Sequence, residues 1–354
     1  MDFTELVTIL EQRLKEEQPF AVYSLPDATQ VIALIPDNND LHSCDDLNEN
    51  GFLMRAFDGA KQLCFASDRC TILQTSYEET LTFKETFVSN ECEEEKAAYI
   101  QLIKDAIENI HLGRASKIVL SRQPTFELKR FDFQRVLKRL LAGYRAAFRY
   151  VIYDTNHGIW CGASPEQLLK SSGNQFQTMS LAGTKVIDEN RPPLWTPKEL
   201  EEQRIVTEAI GARLEKIAAI LKVSKTYSHQ AGTLVHLRND FNGVFRKGKE
   251  SIVQIANALH PTPAVCGMPT KKALEYILLN EAKDRQFYTG FLGLISMQGK
   301  ASNLFVNLRC MNIKNRSATL FVGGGIVGAS SPIDEWNETQ NKLATMGQVI
   351  APML

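Results

Sequence analysis

The sequence predicts an α+β fold whose strands pair mainly antiparallel. Short strand-like runs follow one another through residues 1–90. Near the C-terminus, FLGLISMQGKASNLFVNLRCMNIKNRSATLFVGGG (291–325) reads as three strands joined by turns at Gly299-Lys300 and Asn315-Arg316. Connections this short force antiparallel pairing, because a parallel crossover needs about a dozen residues or more. Between these regions, strand-like and helical runs alternate.

The elements follow in order. MDFTELVTILEQRLKEEQ has the apolar spacing of an amphipathic helix. FAVYSL, QVIALI, GFLMRAF, KQLCFA and CTILQT are short and rich in β-branched and aromatic residues, as strands are. The acidic linker SNECEEEKAAY turns into a helix that runs to about His111. SKIVLSR, FRYVIYD, GIWCGAS and FQTMSLAG read as strands, and 197–221 and 270–283 as helices. After the C-terminal strands, Pro332 stands where a first helical residue would, opening a helix of about 20 residues.

Bulk composition narrows the function. The 354 residues suffice for a substantial core, and 44% hydrophobic with 23% charged residues is ordinary for a globular protein. Lys plus Arg number 40 against 41 Asp plus Glu, so no electrostatic case exists for nucleic acid or an anionic membrane as main partner. The longest apolar runs fall far below the roughly 20 residues of a membrane helix. The N-terminus is acidic, unlike a secretory or transit signal, and a cytoplasmic location is expected. Cysteines 44, 64, 70, 92, 161, 266 and 310 are scattered, odd in number and never spaced as C-x-x-C. That pattern argues against a disulfide framework or a zinc site and reads as small buried apolar residues.

Gly323-Gly324-Gly325-Ile326-Val327-Gly328 satisfies G-x-G-x-x-G. A dinucleotide fingerprint, however, belongs to the first turn of a parallel βαβ unit, with an acidic residue about 20 positions on. Here the glycines follow antiparallel strands, and position 348 is Gln. Topology excludes the nucleotide reading.

The helix after the glycines is more specific. In IDEWNETQNK, Glu335 and Glu338 are three apart and share a helix face; Glu199 and Glu202 do the same in KELEEQRIVTEAI. Such pairs are usually solvated, but two from distant helices could also converge on one hard divalent cation. Lys117 sits in the otherwise apolar strand SKIVLSR, either snorkelling or desolvated into a base. Glu166 follows directly on the strand GIWCGAS, where strand ends deliver side chains into clefts. His260, in the rigid loop HPTPAVCGMP, reads by itself as a structural histidine.

Taken together, these segments resemble the chorismate-utilising enzymes: isochorismate, salicylate, anthranilate and aminodeoxychorismate synthases. The blocks are SKIVLSR, GASPEQLL, SLAGT, KELEEQRIV, LVHL, ALHPTPAVCGMP, RQFYTGFLG, FVNLRC, FVGGGIV and EWNETQNK, spread over about residues 93–351. The resemblance implies a single domain over 1–354, with residues 1–90 as an accessory part and 93–351 as the chorismate-binding core. It also implies two stacked antiparallel sheets between helix layers, an α/β/β/α sandwich.

The resemblance further implies the chemistry. Ala182 stands where aminodeoxychorismate synthases carry a nucleophilic Lys, and Lys117 where ammonia-adding enzymes usually carry Gln. A Lys at that place resembles the water-activating base of isochorismate and salicylate synthases. Isochorismate synthase is the closest match, with salicylate synthase, which adds pyruvate elimination, as the alternative and a catalytically silent binding subunit as the third. Mg²⁺ would be held by Glu202 and Glu338, with Glu199 and Glu335 in support, and would bind the ring carboxylate of chorismate. Lys117, kept neutral by its apolar surroundings, would be the base, and Glu166, with its pKa raised by burial, the acid. Arg309 would hold the enolpyruvyl carboxylate, and Gly183, Thr184, His260, Tyr288, Gly323, Gly324, Gly325 and Lys342 would line the pocket. No glutaminase subunit is expected, and the chain would be a monomer or loose homodimer. Gln203 replaces a frequent family His, and Lys185-Val186 replaces the usual Arg-Pro after the LAGT block. The pathway served, whether menaquinone, siderophore or salicylate, stays open.

Overall fold

The computed structural model describes residues 1–38, 41, 50–83, 87, 92–187, 192–231, 234–246, 252–296 and 301–354. Helix α1 (Phe3–Lys15) opens the chain on a capping box: Asp2 and Glu5 exchange side-chain bonds to each other's backbone N–H, both 2.8 Å. Strands β1 (Phe20–Ser24), β2 (Gln30–Pro36), β3 (Gly51–Arg55), β4 (Gln62–Ala66) and β5 (Cys70–Ser76) follow. Helix α2 (Glu93–His111), β6 (Lys117–Arg122), β7 (Thr125–Glu127) and α3 (Phe133–Gly143) come next. The chain then forms β8 (Phe148–Asp154), β9 (Gly158–Ser164), β10 (Gln167–Ser172) and β11 (Gln175–Val186). After α4 (Pro197–Leu214) come β12 (Ala218–Val223), β13 (Tyr227–Ala231), β14 (Leu234–Phe245), α5 (Ile252–Leu259), β15 (Gly267–Met268) and α6 (Thr270–Asn280). The last elements are β16 (Phe291–Ile295), β17 (Ser302–Val306), β18 (Cys310–Lys314), β19 (Ser317–Ile326) and α7 (Pro332–Ile350).

The strands form two sheets, and the pairing is antiparallel throughout. The first runs β15-β6-β19-β18-β9-β8-β1-β2-β5, with β7 on β19; the second runs β12-β14-β11-β10-β17-β16-β3-β4, with β13 on β14. Residues 1–90 thus extend both sheets: β1, β2 and β5 the first, β3 and β4 the second.

Side-chain alternation stacks the sheets. Ala21, Tyr23, Phe148, Tyr150 and Trp160 of the first pack on Phe52, Met54, Leu292 and Phe305 of the second. The Phe148 and Phe305 rings lie 4.4 Å apart and nearly parallel. The opposite face of the first sheet (Phe20, Val22, Val151) buries against α1, α3 and α7. The outer face of the second (Leu53, Phe176, Phe241) buries against α4 and α5. This is the sandwich expected.

Four expectations are corrected. The helix read over 197–221 stops at Leu214, and Ala218–Val223 becomes an edge strand on β14, where ladder pairing overrides local helix propensity. The helix read over 270–283 stops at Asn280. Most usefully, 291–325 makes four strands rather than three. The segment read as one central strand breaks at Asn307–Arg309, leaving β17 in the second sheet and β18 in the first. Arg309 sits at that switch with φ +47°, in the left-handed region. Asn315 and Arg316 also have positive φ and close the expected turn, whereas Gly299-Lys300 lies outside the described residues. Cys161, Cys266 and Cys310 are free and buried as expected, but Cys92 is exposed, Cys70 is half-buried and Cys64 is disulfide-bonded, so the reading of the cysteines as buried thiols fails at those three.

Candidate active site

Two of the chain's crossings between the sheets lie side by side, and a candidate acid and a candidate carboxylate clamp stand at them. Glu166 lies between β9 of the first sheet and β10 of the second; Arg309 lies between β17 and β18. The crossings are tied together, Ala163 N–H donating to the Arg309 carbonyl and Val306 N–H to the Glu166 carbonyl, both at 3.0 Å. A cavity opens beside them, lined by Glu166, Gly183, Thr184, Glu202, Tyr288, Arg309, Gly323, Gly324, Gly325, Glu338 and Lys342.

Lys117 does not itself line this cavity but lies against two residues that do, Glu202 and Gly325. It is fully buried, which rules out snorkelling, and Nζ donates to Glu202 Oε1 at 2.9 Å. The expectation of an amine in purely apolar surroundings is therefore corrected. A buried lysine needs a partner, and α4 supplies one. Glu166, only 4% exposed, has its carboxyl pushed up to about 8 by burial, partly offset by the nearby Lys117 charge. A protonated carboxyl at neutral pH can donate a proton.

Three of the four helix glutamates converge and one does not. Glu202, Glu335 and Glu338 come together from α4 and α7, and each is held by a lysine. Lys117 takes Glu202, Lys198 takes Glu335 Oε1 at 2.6 Å, and Lys342 takes Glu338 Oε1 at 2.7 Å. Glu199 instead closes the capping box of α4, accepting from the Thr196 N–H at 2.8 Å, and lines an outer groove rather than the cavity. Its nearest ammonium, that of Lys185, is 3.9 Å away. Among the described residues, no three His, Cys, Asp or Glu side chains stand as a ready metal cage.

The three converging carboxylates nevertheless suit a hard cation. The Lys198 ammonium already occupies a cation position among them. Burial opposes its charge, but Glu335, then Glu338 and Glu202, outweigh burial and raise its pKa. Glu335 is 1% exposed; burial first, then Glu338, pushes it up to about 7, and its Oε2 is buried without a hydrogen-bond partner. Lys198 and Ser330 serve only Oε1, so one oxygen of this buried carboxyl is left without a partner.

The glycines make room for this charge cluster. Gly323–Gly325 lie within β19, paired with Ser121, Leu120 and Val119 of β6. A Cβ on Gly325 would stand 2.4 Å from Glu202 Oε1 and 2.8 Å from Lys117 Cε; one on Gly324 would stand 3.1 Å from Glu335 Oε2. Close approach, not a special φ, demands glycine here. Gly325→Ala is therefore expected to push the Lys117–Glu202 pair apart, costing about 1–3 kcal/mol of stability and most turnover. Thermal unfolding and a steady-state assay check this.

The remaining expected residues divide clearly. Tyr288 is buried and stacks on Phe321 at 5.6 Å. Arg309 donates to Thr345 Oγ1 at 3.1 Å, and burial pulls its pKa down. Gly183, at φ +65°, makes the bulge that offsets β11 against β14. His260 does not line the cavity. Its Nε2 is 3.0 Å from the Phe57 carbonyl and its ring meets Phe57 and Phe291 edge-on, so the pocket role is replaced by a packing one. Gln203 also turns away, donating to Asn239 Oδ1 at 2.8 Å and to Ser180.

Sequence reasoning missed two groups. His236, in the LVHL block, lines the cavity with Nδ1 3.1 Å from both the Gly183 carbonyl and Thr184 Oγ1, leaving a buried, unpartnered Nε2. Burial, then Arg309 and Lys342, lowers its pKa to about 3, so the ring is neutral. Lys198 was the other; it stands beside an E-x-x-E pair, where a single cation looks like an ordinary surface charge.

The fold and this arrangement of lysines, glutamates and a sheet-switch arginine define an α+β enzyme site for a small anionic substrate. The family model "Chorismate binding enzyme" matches residues 52–351, and the chain belongs to that family. It is 32% identical over 263 residues to isochorismate synthase EntC of Escherichia coli K12, covering 71% of this chain and 66% of that protein. To isochorismate synthase DhbC of Bacillus subtilis it is 37% identical over 194 residues, covering 52% of this chain and 48% of that one. The match therefore spans about two thirds of the first relative and about half of the second. A crystal structure of a putative 2,3-dihydroxybenzoate-specific isochorismate synthase, DhbC from Bacillus anthracis, superposes with TM-score 0.80 at 26% identity, covering 97% of this chain and 99% of that one. Menaquinone-specific MenF from Escherichia coli shares the fold, with TM-score 0.76 at 20% identity over 94% and 89% of the two chains. No helix among the described residues is long and apolar enough to cross a membrane.

Proposed function

We propose that the protein is an isochorismate synthase that adds water to C2 of chorismate and expels the C4 hydroxyl. The observation that carries this reading is the placement of Lys117 behind a cavity whose other wall offers Glu166, with Ala182 where an amine nucleophile would otherwise stand. Glu202, Glu335 and Glu338 would hold Mg²⁺, with Glu199 set back in its capping box. When bound, the ion would neutralise a substrate carboxylate and polarise the ring toward attack.

The chain's own groups account for the proton movements. As a neutral amine, having given up its ammonium proton and turned from Glu202, Lys117 accepts a proton from water as the water oxygen bonds to C2. The ring double bonds shift, the C4–O bond breaks, and Glu166 delivers its proton so that the hydroxyl departs as water. Arg309 offers its guanidinium to the enolpyruvyl carboxylate, and its bond to Thr345 sets the direction of the fork. Lys342, fixed by the Gly323 carbonyl at 2.8 Å and by Glu338, adds positive charge on the same side. Water is the nucleophile, so the reading needs no ammonia-supplying subunit.

Product analysis of the purified chain with chorismate and MgCl₂ tests the proposal. Isochorismate without pyruvate is expected. Stoichiometric pyruvate would assign the salicylate synthase reaction instead, and anthranilate in the presence of ammonium would overturn the proposal. Glu338→Ala is expected to lose both turnover and its stimulation by Mg²⁺, measured across a MgCl₂ titration after dialysis against EDTA. A variant still stimulated would remove Glu338 from the ligands.

A further inference from the structure

We infer that Lys198 is a resident counter-ion of the carboxylate cluster and withdraws when a divalent cation binds, so that the cation enters by exchange with an ammonium group. The inference rests on the metal-dependent reading above and deepens it.

Three observations carry it. Glu335 is almost wholly buried, and its Oε1 receives both Lys198 at 2.6 Å and Ser330 Oγ at 2.7 Å, while Oε2 has no partner. Without Lys198, Glu335 would face Glu338 and Glu202 with no ammonium of its own, which a buried carboxylate cannot sustain cheaply. With Lys198 in place, a divalent ion on Glu335 would sit against a positive charge bonded to the same carboxylate.

Of the lysines holding the three converging carboxylates, Lys198 is the one built to move. Lys117 is fully buried, and Lys342 is fixed by the Gly323 carbonyl as well as by Glu338. Lys198 keeps 22% of its side chain exposed and lines an outer groove shared with Asp334 and Glu338. Its stem can swing into that groove, where Asp334 offers a solvated carboxylate in place of Glu335. Lys198 is therefore a positioning residue: it holds and orients Glu335 before the ion arrives, and it sets the affinity for the ion.

Two measurements test this, neither of them an activity assay. Limited lysine acetylation of the wild-type chain, read by peptide mass spectrometry with and without MgCl₂, is expected to show Lys198 labelling rise about threefold or more, following its loss of a buried partner. The exposed Lys271 should not change. Calorimetric titration of substrate-free protein with MgCl₂ is expected to show Lys198→Gln binding Mg²⁺ about tenfold tighter than wild type, because a nearby positive charge is gone. Lys198→Arg, which keeps the charge, should stay within about twofold.

Unchanged or reduced labelling of Lys198, or a Gln variant that binds no tighter, overturns the inference in a protein that binds Mg²⁺. If wild type binds no Mg²⁺ with or without chorismate, the metal reading itself has failed. Labelling is read on the wild-type chain, so it decides the matter even if a variant does not fold.

Discussion

Lys117→Gln is expected to lower kcat by roughly 10²–10⁴-fold while chorismate and Mg²⁺ still bind. The substitution keeps an N–H donor for Glu202, which Nζ now reaches at 2.9 Å, and so preserves the arrangement of the glutamates. What it removes is a group able to take a proton from water. Binding measured by calorimetry should move little compared with the loss of turnover. A variant that retains wild-type turnover would show that Lys117 is not the base. A variant that also loses chorismate binding would assign it a structural role, since the fully buried side chain holds the cavity-lining Glu202.

Glu166→Gln is the second large effect, and it has opposite signs on activity and stability. As the proton donor, Glu166 must be protonated, so kcat should fall as pH rises through about 8, and the Gln variant should lose roughly 10²–10⁴-fold below that pH, with the gap narrowing above it. The linkage follows from the same raised pKa. The folded state holds this proton up to about 8, while the unfolded chain releases it near the ordinary carboxylate value. Stability is fully present below the unfolded value and is lost progressively as pH rises toward about 8. A neutral amide carries no such penalty. Glu166→Gln is therefore expected to be more stable than wild type above neutrality by about 1–3 kcal/mol, with the difference vanishing near pH 4. Denaturant unfolding at several pH values measures this, and an unchanged pH dependence would contradict the buried, protonated acid.

Much of this site is legible in local patterns. Glu335 and Glu338, three apart on one helix, are bound to share a face, as are Glu199 and Glu202, and a lysine inside an apolar strand has few ordinary explanations. The limits are equally physical. The E-x-x-E spacing places Glu199 beside Glu202, but Thr196-Pro-Lys-Glu199 is also a capping-box pattern, and that competing use is the one Glu199 takes. Periodicity treats Ala301 to Lys314 as one strand, because apolar alternation continues through the place where the chain changes sheets. The break at Arg309 depends on non-local pairing with β10 and β9. His260 and His236 look alike in sequence. Only the surrounding elements put one between two phenylalanine rings and the other against the cavity. Lys198 escapes notice for the same reason: its partner Glu335 lies 137 positions away on another helix.

The central claim is that solvent water, activated from the Lys117 side, replaces the C4 hydroxyl of chorismate. Turnover in H₂¹⁸O with MgCl₂, followed by mass spectrometry of the product, tests it most directly. Isochorismate carrying one ¹⁸O at C2 and unlabelled oxygen elsewhere on the ring is expected. Isochorismate without ¹⁸O, or an aminated product formed with ammonium, would contradict it.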